Sequence, residues 1–227
     1  GRNAICFYDA SKKNLRRRSA GRQAGWRAMK LVIATNNANK VREIRDKFAA
    51  LPELEILTPA DFGSPPEVIE DGETFRDNAE KKARALADYT GLVSLADDSG
   101  LVVDALGGRP GVFSARYGGE GADDNTRNRM ILDELRGVPE GRRSARFVCA
   151  IAIALPGRES LFAEGTCEGV IAGVMRGEGG FGYDPIFFLP ELGRTMAELT
   201  LEEKNRISHR ARALDSALAI LREIPRQ

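Results

Sequence analysis

MKLVIATNNANKVREIRDKFAALPELEIL, residues 29–57, decides the fold. Lys30 to Thr35 is an apolar run of strand length, and Asn36 to Asn39 forms a turn. Val41, Ile44, Phe48 and Leu51 then recur at helical spacing, which predicts a helix from about Lys40 to Leu51. Leu54 to Leu57 reads as a second short strand. Strand, helix and strand in so short a span make a βαβ unit, with the strands parallel and the helix on one face.

Reading outward, residues 58–72 are rich in Pro, Gly and acids and predict a loop. A helix follows from Glu73 to Tyr89, with Gly91 as its stop. Leu92 to Ala96 is a buried strand that runs into Asp97-Asp98-Ser99-Gly100, and Leu101 to Leu106 is another. Residues 107–111 are a turn, and 123–136 a helix capped by Asp123 or Asp124. Arg146 to Leu155 and Leu161 to Thr166 alternate as a hairpin across Pro156-Gly157. Gly177 to Gly182 is a glycine-rich loop, and Thr200 to Glu203 fits a capping box. Ile207, Ala211, Leu214, Leu218 and Leu221 have helical spacing. Early βαβ units with later antiparallel strands predict an α/β fold, a mixed sheet with helices outside.

The chain has 227 residues and a net charge of +1, but the charge is unevenly placed. Residues 1–28 hold eight Lys/Arg against Asp9, leaving 26 basic and 32 acidic residues in the body. The head reads as a disordered basic extension ahead of a natural start at Met29. Residues 29–227 read as one domain. A net-negative body is a poor polyanion binder, so no nucleic-acid partner is expected. No apolar run approaches the ~18 residues that a membrane helix needs. Cys6, Cys149 and Cys167 show no C-x-x-C spacing, which predicts reduced thiols and a cytoplasmic protein. His209 is the one histidine, which argues against a zinc site built on several.

Four segments could carry chemistry. Thr35-Asn36-Asn37-Ala38-Asn39-Lys40 lies where a strand opens into a helix, which suits an anion; the alternative is a plain capped turn. Asp97 and Asp98 end a buried strand, where paired carboxylates need a cation or donors; the alternative is an Asx turn. Glu67, Glu70, Asp71 and Glu73 could supply a second metal ligand. In Gly179 to Pro185 the glycines permit close approach, and Phe181 or Tyr183 could stack on a base or plug the core. Lys204, Ser208, His209 and Arg210 put cations and donors near a helix start. At 100° per residue, His209 and Arg210 fall ~200° and ~300° from Ile207, off the apolar stripe, so neither is expected in the core. Lys82 shares a helix face with Asn78 and could reach a phosphate or solvent.

Taken in order, T-N-N-x-x-K (35–40), A-D-D-S-G-L (96–101), G-G-F-G-Y-D-P (179–185) and E-E-K-x-x-x-S-H-R (202–210) resemble the inosine/xanthosine triphosphate pyrophosphatases. Leu106 to Tyr117 is similar to that family too, and the resemblance runs from Met29 to about Ile224. It implies an elongated mixed sheet, two lobes with an active cleft between them, a homodimer and Mg²⁺ as cofactor. It implies hydrolysis of ITP, dITP or XTP to the monophosphate and pyrophosphate. Thr35, Asn36, Asn37, Ala38, Asn39 and Lys40 would hold the phosphates, and Lys82 would face them. Asp98 would be the catalytic carboxylate and a metal ligand, with Asp97 beside it and Ser99 on the substrate. Glu70 is the choice for the second metal ligand, with Glu73 and Glu67 as alternatives. Phe181, Gly182, Tyr183 and Asp184 would hold the base, with Lys204, His209 and Arg210. A donor from His209 or Arg210 would reward the 6-oxo group of hypoxanthine or xanthine over adenine.

Overall fold

The computed structural model describes residues 29–224; the predicted basic extension lies outside them. Seven strands form one mixed sheet: β1 (Met29–Ile33), β2 (Leu54–Leu57), β3 (Val93–Val103), β4 (Ser144–Ala154), β5 (Leu161–Ile171), β6 (Phe187–Leu189) and β7 (Arg194–Thr195). Their spatial order is β2-β1-β3-β4-β5-β6-β7. β1 runs parallel to both β2 and β3, and the other pairings are antiparallel. Five helices flank the sheet: α1 (Ala38–Phe48), α2 (Phe75–Thr90), α3 (Asp124–Glu134), α4 (Leu201–Ile207) and α5 (His209–Glu223). None of the described helices is long and apolar enough to cross a membrane.

The eleven-residue strands β3, β4 and β5 make the sheet long, and their alternation divides the core. Leu95, Cys149, Ile151 and Ile153 pack under α1 and α5 with Ile44, Phe48 and Leu214. Further along the same sheet face, Leu101, Val103, Phe147 and Ile171 join a second cluster with Phe187 and Ile131. On the opposite face Ala96, Ala152 and Ala154 meet Ala79, Ala83 and Leu86 of α2. Small residues on both sides let α2 lie close to the sheet.

Several boundaries differ from the sequence reading. The expected break at Asp97 to Gly100 is absent, and all four residues lie inside β3, paired with Ile151 to Val148 of β4. Gly100 explains why a turn-like sequence stays extended. A Cβ there would strike Ser114 Oγ, with the Gly111 carbonyl oxygen 2.6 Å away, so the strand lies flush against the 111–116 turn. β5 extends to Ile171, and β6 and β7 are too short to show a period. The C-terminal helical segment is two helices, because Ser208 takes an extended conformation (φ −66°, ψ 157°) and caps α5 through Ala211 N.

Candidate active site

The decisive local feature is an interruption on β3. Along one sheet face the series Leu95, Asp97, Ser99, Leu101 runs from the first apolar cluster to the second. Asp97 and Ser99 therefore lie at the junction of the two clusters, and a cleft of about 780 Å³ opens above them. Asp98, one residue on, faces α2 instead.

Asp97 is 1% exposed and lies behind the cleft wall. Its Oδ2 takes Lys40 Nζ at 3.0 Å, Arg210 Nε at 3.1 Å and Ser99 Oγ at 2.8 Å. Burial pushes its carboxyl up, but Lys40 and Arg210 outweigh this and hold it far below the ordinary carboxylate range. Asp98 lines the cleft, with Oδ1 3.1 Å from Lys82 Nζ and Oδ2 3.4 Å from Asn78 Nδ2. Burial dominates there and raises its pKa. The same Lys82 ammonium reaches Glu70 Oε2 at 2.8 Å. Burial would raise Glu70 too, but Lys82 overrides it and lowers that carboxyl.

At the far wall, loop 177–184 is folded on itself. Asp184, 2% exposed, accepts Phe181 N at 2.9 Å and Lys204 Nζ at 2.7 Å. Gly180 sits at φ 74°, and a Cβ there would collide with Asp184 Oδ2, so the turn requires glycine. Lys204 lies 4.5 Å from the centre of the Phe181 ring. It also meets Glu43 Oε1 at 3.0 Å, while Glu43 Oε2 takes Arg210 Nη1 at 2.6 Å. His209 stacks on Phe147, with ring centroids 4.7 Å apart. Burial, then the Arg210 and Lys204 charges, hold its pKa well below the ordinary value, so the ring is neutral. Its buried Nδ1 has no hydrogen-bond partner among the described residues.

This network joins the acids Glu43, Glu70, Asp97, Asp98 and Asp184 to the cations Lys40, Lys82, Lys204 and Arg210. Acids exceed bases by one before any ligand enters. A polyphosphate would add more negative charge, which a further cation would offset. Glu70 and Asp98 offer oxygen ligands to one space, and two carboxylates suit a hard divalent ion that keeps water and phosphate oxygens.

The sequence model of the Ham1 family matches residues 31–220. The chain belongs to the Ham1 family. The dITP/XTP pyrophosphatase of Desulforamulus reducens is 53% identical over 196 residues, covering 86% of this chain and 97% of that one. That of Geobacillus kaustophilus is 56% identical over 184 residues, covering 81% and 90%. The HAM1 protein of Coxiella burnetii superposes with a TM-score of 0.80 at 43% identity, over 86% of this chain and 100% of that one.

In this Ham1 chain, nearly all residues singled out from the sequence line the one cleft: Thr35, Asn36, Asn37, Asn39, Lys40, Glu67, Glu70, Lys82, Asp98, Ser99, Phe181 to Asp184, Lys204, His209 and Arg210. Ala38 instead lines a smaller neighbouring depression with Arg42 and Arg45. Glu73 and Asp71 are exposed outside the cleft, and Asp71 pairs with Lys81. Asn37 spends its side chain on the helix, accepting Asn39 N at 3.0 Å and Lys40 N at 3.2 Å. Tyr183 also borders the cleft but is a core residue with its hydroxyl on the Ser114 carbonyl at 2.8 Å, so Phe181 is the more exposed of the two rings.

The placement of His209 and Arg210 off the packed face needs correction: they are 5% and 2% exposed. The buried arc of α5 extends past its apolar stripe on one flank, where β4, β5 and α1 cover His209 and Arg210, while Arg212, Asp215 and Ser216 form the exposed side. Arg210 donates to Asp97, Glu43 and Ser99. Glu43 and Asn128 were not singled out from the sequence, and Asp124 was read only as a helix cap. Glu43 adjoins the apolar position Ile44 on α1, but its burial becomes readable only once Lys204 and Arg210 are known to face it.

Proposed function

We propose that this chain hydrolyses deaminated purine nucleoside triphosphates — ITP, dITP and XTP — to the monophosphate and pyrophosphate. The observation that carries the reading is the convergence of three surfaces on one cleft: the Thr35 to Lys40 turn, the Glu70–Lys82–Asp98 cluster and the Phe181 wall. The names of the 46–56% identical relatives support it. Thr35, Asn36, Asn39 and Lys40 receive the phosphates, and Lys82 offsets charge on them. Asp98 orients a water and takes its proton as the oxygen attacks the α-phosphorus. Asp97, locked by Lys40 and Arg210, fixes the strand from which Asp98 projects. Glu70 and Asp98 would hold Mg²⁺, which would offset the charge of the triphosphate and of the leaving pyrophosphate. Phe181 stacks on the base, while His209 and Lys204 face its polar edge. A neutral imidazole donates to a 6-oxo group without attracting the phosphates. Activity should require Mg²⁺ or Mn²⁺, and full turnover in excess EDTA would refute the metal role. We further infer a cytoplasmic homodimer, to be checked by light scattering on the purified chain.

A further inference from the structure

We infer that Asp124 and Asn128, on the first turns of α3, are positioning residues that set the base-holding wall from the side opposite Asp184. The inference rests on the reading of Phe181 as the base platform. Residues 177–183 include four glycines, and Gly177, Gly180 and Gly182 have positive φ. A segment of that composition is poorly ordered by itself and must be fixed by its surroundings. On one side Asp184 holds Phe181 N, and Gly179 N reaches the Ala197 carbonyl at 3.0 Å. On the other, α3 grips Gly182 by both its backbone polar groups. Gly182 N donates to Asp124 Oδ2 at 2.7 Å, and Asn128 Nδ2 donates to the Gly182 carbonyl at 2.9 Å.

The two gripping residues are themselves held. Asn128 is fully buried, and Arg127 Nη1 braces Asp124 Oδ1 at 2.8 Å. Asp123 caps α3 through Thr126 N, so α3 presents both groups from a fixed frame. Phe181 is thus fixed through its own amide by Asp184 and through the next residue by α3. Releasing the α3 grip frees the platform without touching the Thr35 to Lys40 turn or the Glu70–Lys82–Asp98 cluster. The consequence is selective: affinity for the base falls, while affinity for the phosphates and the chemical step remain.

Asp124→Ala removes the acceptor, and Asp124→Asn keeps one oxygen for Gly182 N. The expected result for Asp124→Ala is a KM for ITP raised about ten- to a hundredfold, the worth of a hydrogen bond to a charged group. kcat should change less than about threefold, and inhibition by inorganic tripolyphosphate, which has no base, should not weaken, since Asp124 and its partner Arg127 both line the cleft and the change removes a negative charge there. Asp124→Asn should restore most of the lost KM. Phe181→Ala serves as the reference. If Phe181→Ala raises KM and Asp124→Ala leaves it within about twofold, the α3 grip is overturned and the base platform stands. If neither moves KM, the platform reading fails and the inference with it. Equal weakening of ITP and tripolyphosphate by Asp124→Ala would mean a general loss of the cleft and would also overturn it.

Discussion

Asp97 and Asp98 are adjacent on β3, yet the strand's pleat sends their carboxylates to opposite faces of the sheet. Asp97 meets Lys40 of α1 and Arg210 of α5, whereas Asp98 meets Lys82 and Asn78 of α2. The first is charge-compensated through Oδ2 by two cations and closed off from the cleft, with its buried Oδ1 unpartnered among the described residues; the second is raised by burial and open to the cleft. Two like residues thereby divide structural and chemical roles.

Asp98→Asn should lower kcat by at least about a hundredfold, the contribution of a positioned general base. It should not lower Tm. Asp98 is pushed up by burial, so its ionised form costs the fold stability at neutral pH, and the amide keeps an oxygen for Lys82. Thermal melts beside a pyrophosphate-release assay check this. Loss of both activity and several degrees of Tm would assign Asp98 a packing role.

Arg210→Ala should behave quite differently. It leaves two buried carboxylates, Asp97 and Glu43, short of a partner. Removing one member of a buried charge network costs about 3–5 kcal/mol. Chemical denaturation should therefore show a large stability loss together with a loss of turnover for every nucleotide. Unchanged stability with a selective loss for ITP would show that the guanidinium acts on the base alone.

His209 supplies a pH signature. Its folded pKa lies well below the ordinary 6.5, so below about that pH the unfolded chain binds a proton that the folded chain refuses. Stability from this group is complete above 6.5 and is lost as pH falls towards the folded pKa. Tm of the unaltered chain should drop between pH 7 and pH 5 more steeply than that of His209→Gln. Parallel curves would mean that the imidazole is already free to protonate.

Gly165→Ala probes the contact between β5 and α5. A Cβ there would strike the His209 carbonyl oxygen and lie 2.5 Å from Ala213 N. Overpacking of this kind costs about 1–3 kcal/mol. At about 2–4 °C per kcal/mol for a domain of this size, Tm should fall by several degrees. The start of α5 carries His209 and Arg210, so KM for ITP should rise as well. A variant that matches the parent in both would show that α5 has room to move.

The βαβ start, the α2 stop at Gly91 and the Thr200–Glu203 capping box were legible because each rests on local chemistry: period, left-handed glycine, side-chain cap. The unbroken course of β3 was not, because Asp-Asp-Ser-Gly is turn-forming by local preference. Only Lys40, Arg210, Lys82 and the 111–116 turn, all distant in sequence, satisfy it as a strand. The same limit hid Glu43, a charged residue beside an apolar helix position. Helical angles set His209 and Arg210 off the apolar stripe and so outside the core, but Arg210 falls within about 20° of Leu221, and the buried arc, which includes Ala213 and Ala217, takes in both.

Product analysis over a panel of ITP, dITP, XTP, GTP and ATP with Mg²⁺ tests the central claim most directly. The account predicts one pyrophosphate per monophosphate from ITP, dITP and XTP, with kcat/KM for ATP lower by at least about a hundredfold, as expected for a site that hydrogen-bonds a 6-oxo group. Release of orthophosphate with a diphosphate intermediate, or equal turnover of ATP and ITP, would contradict it.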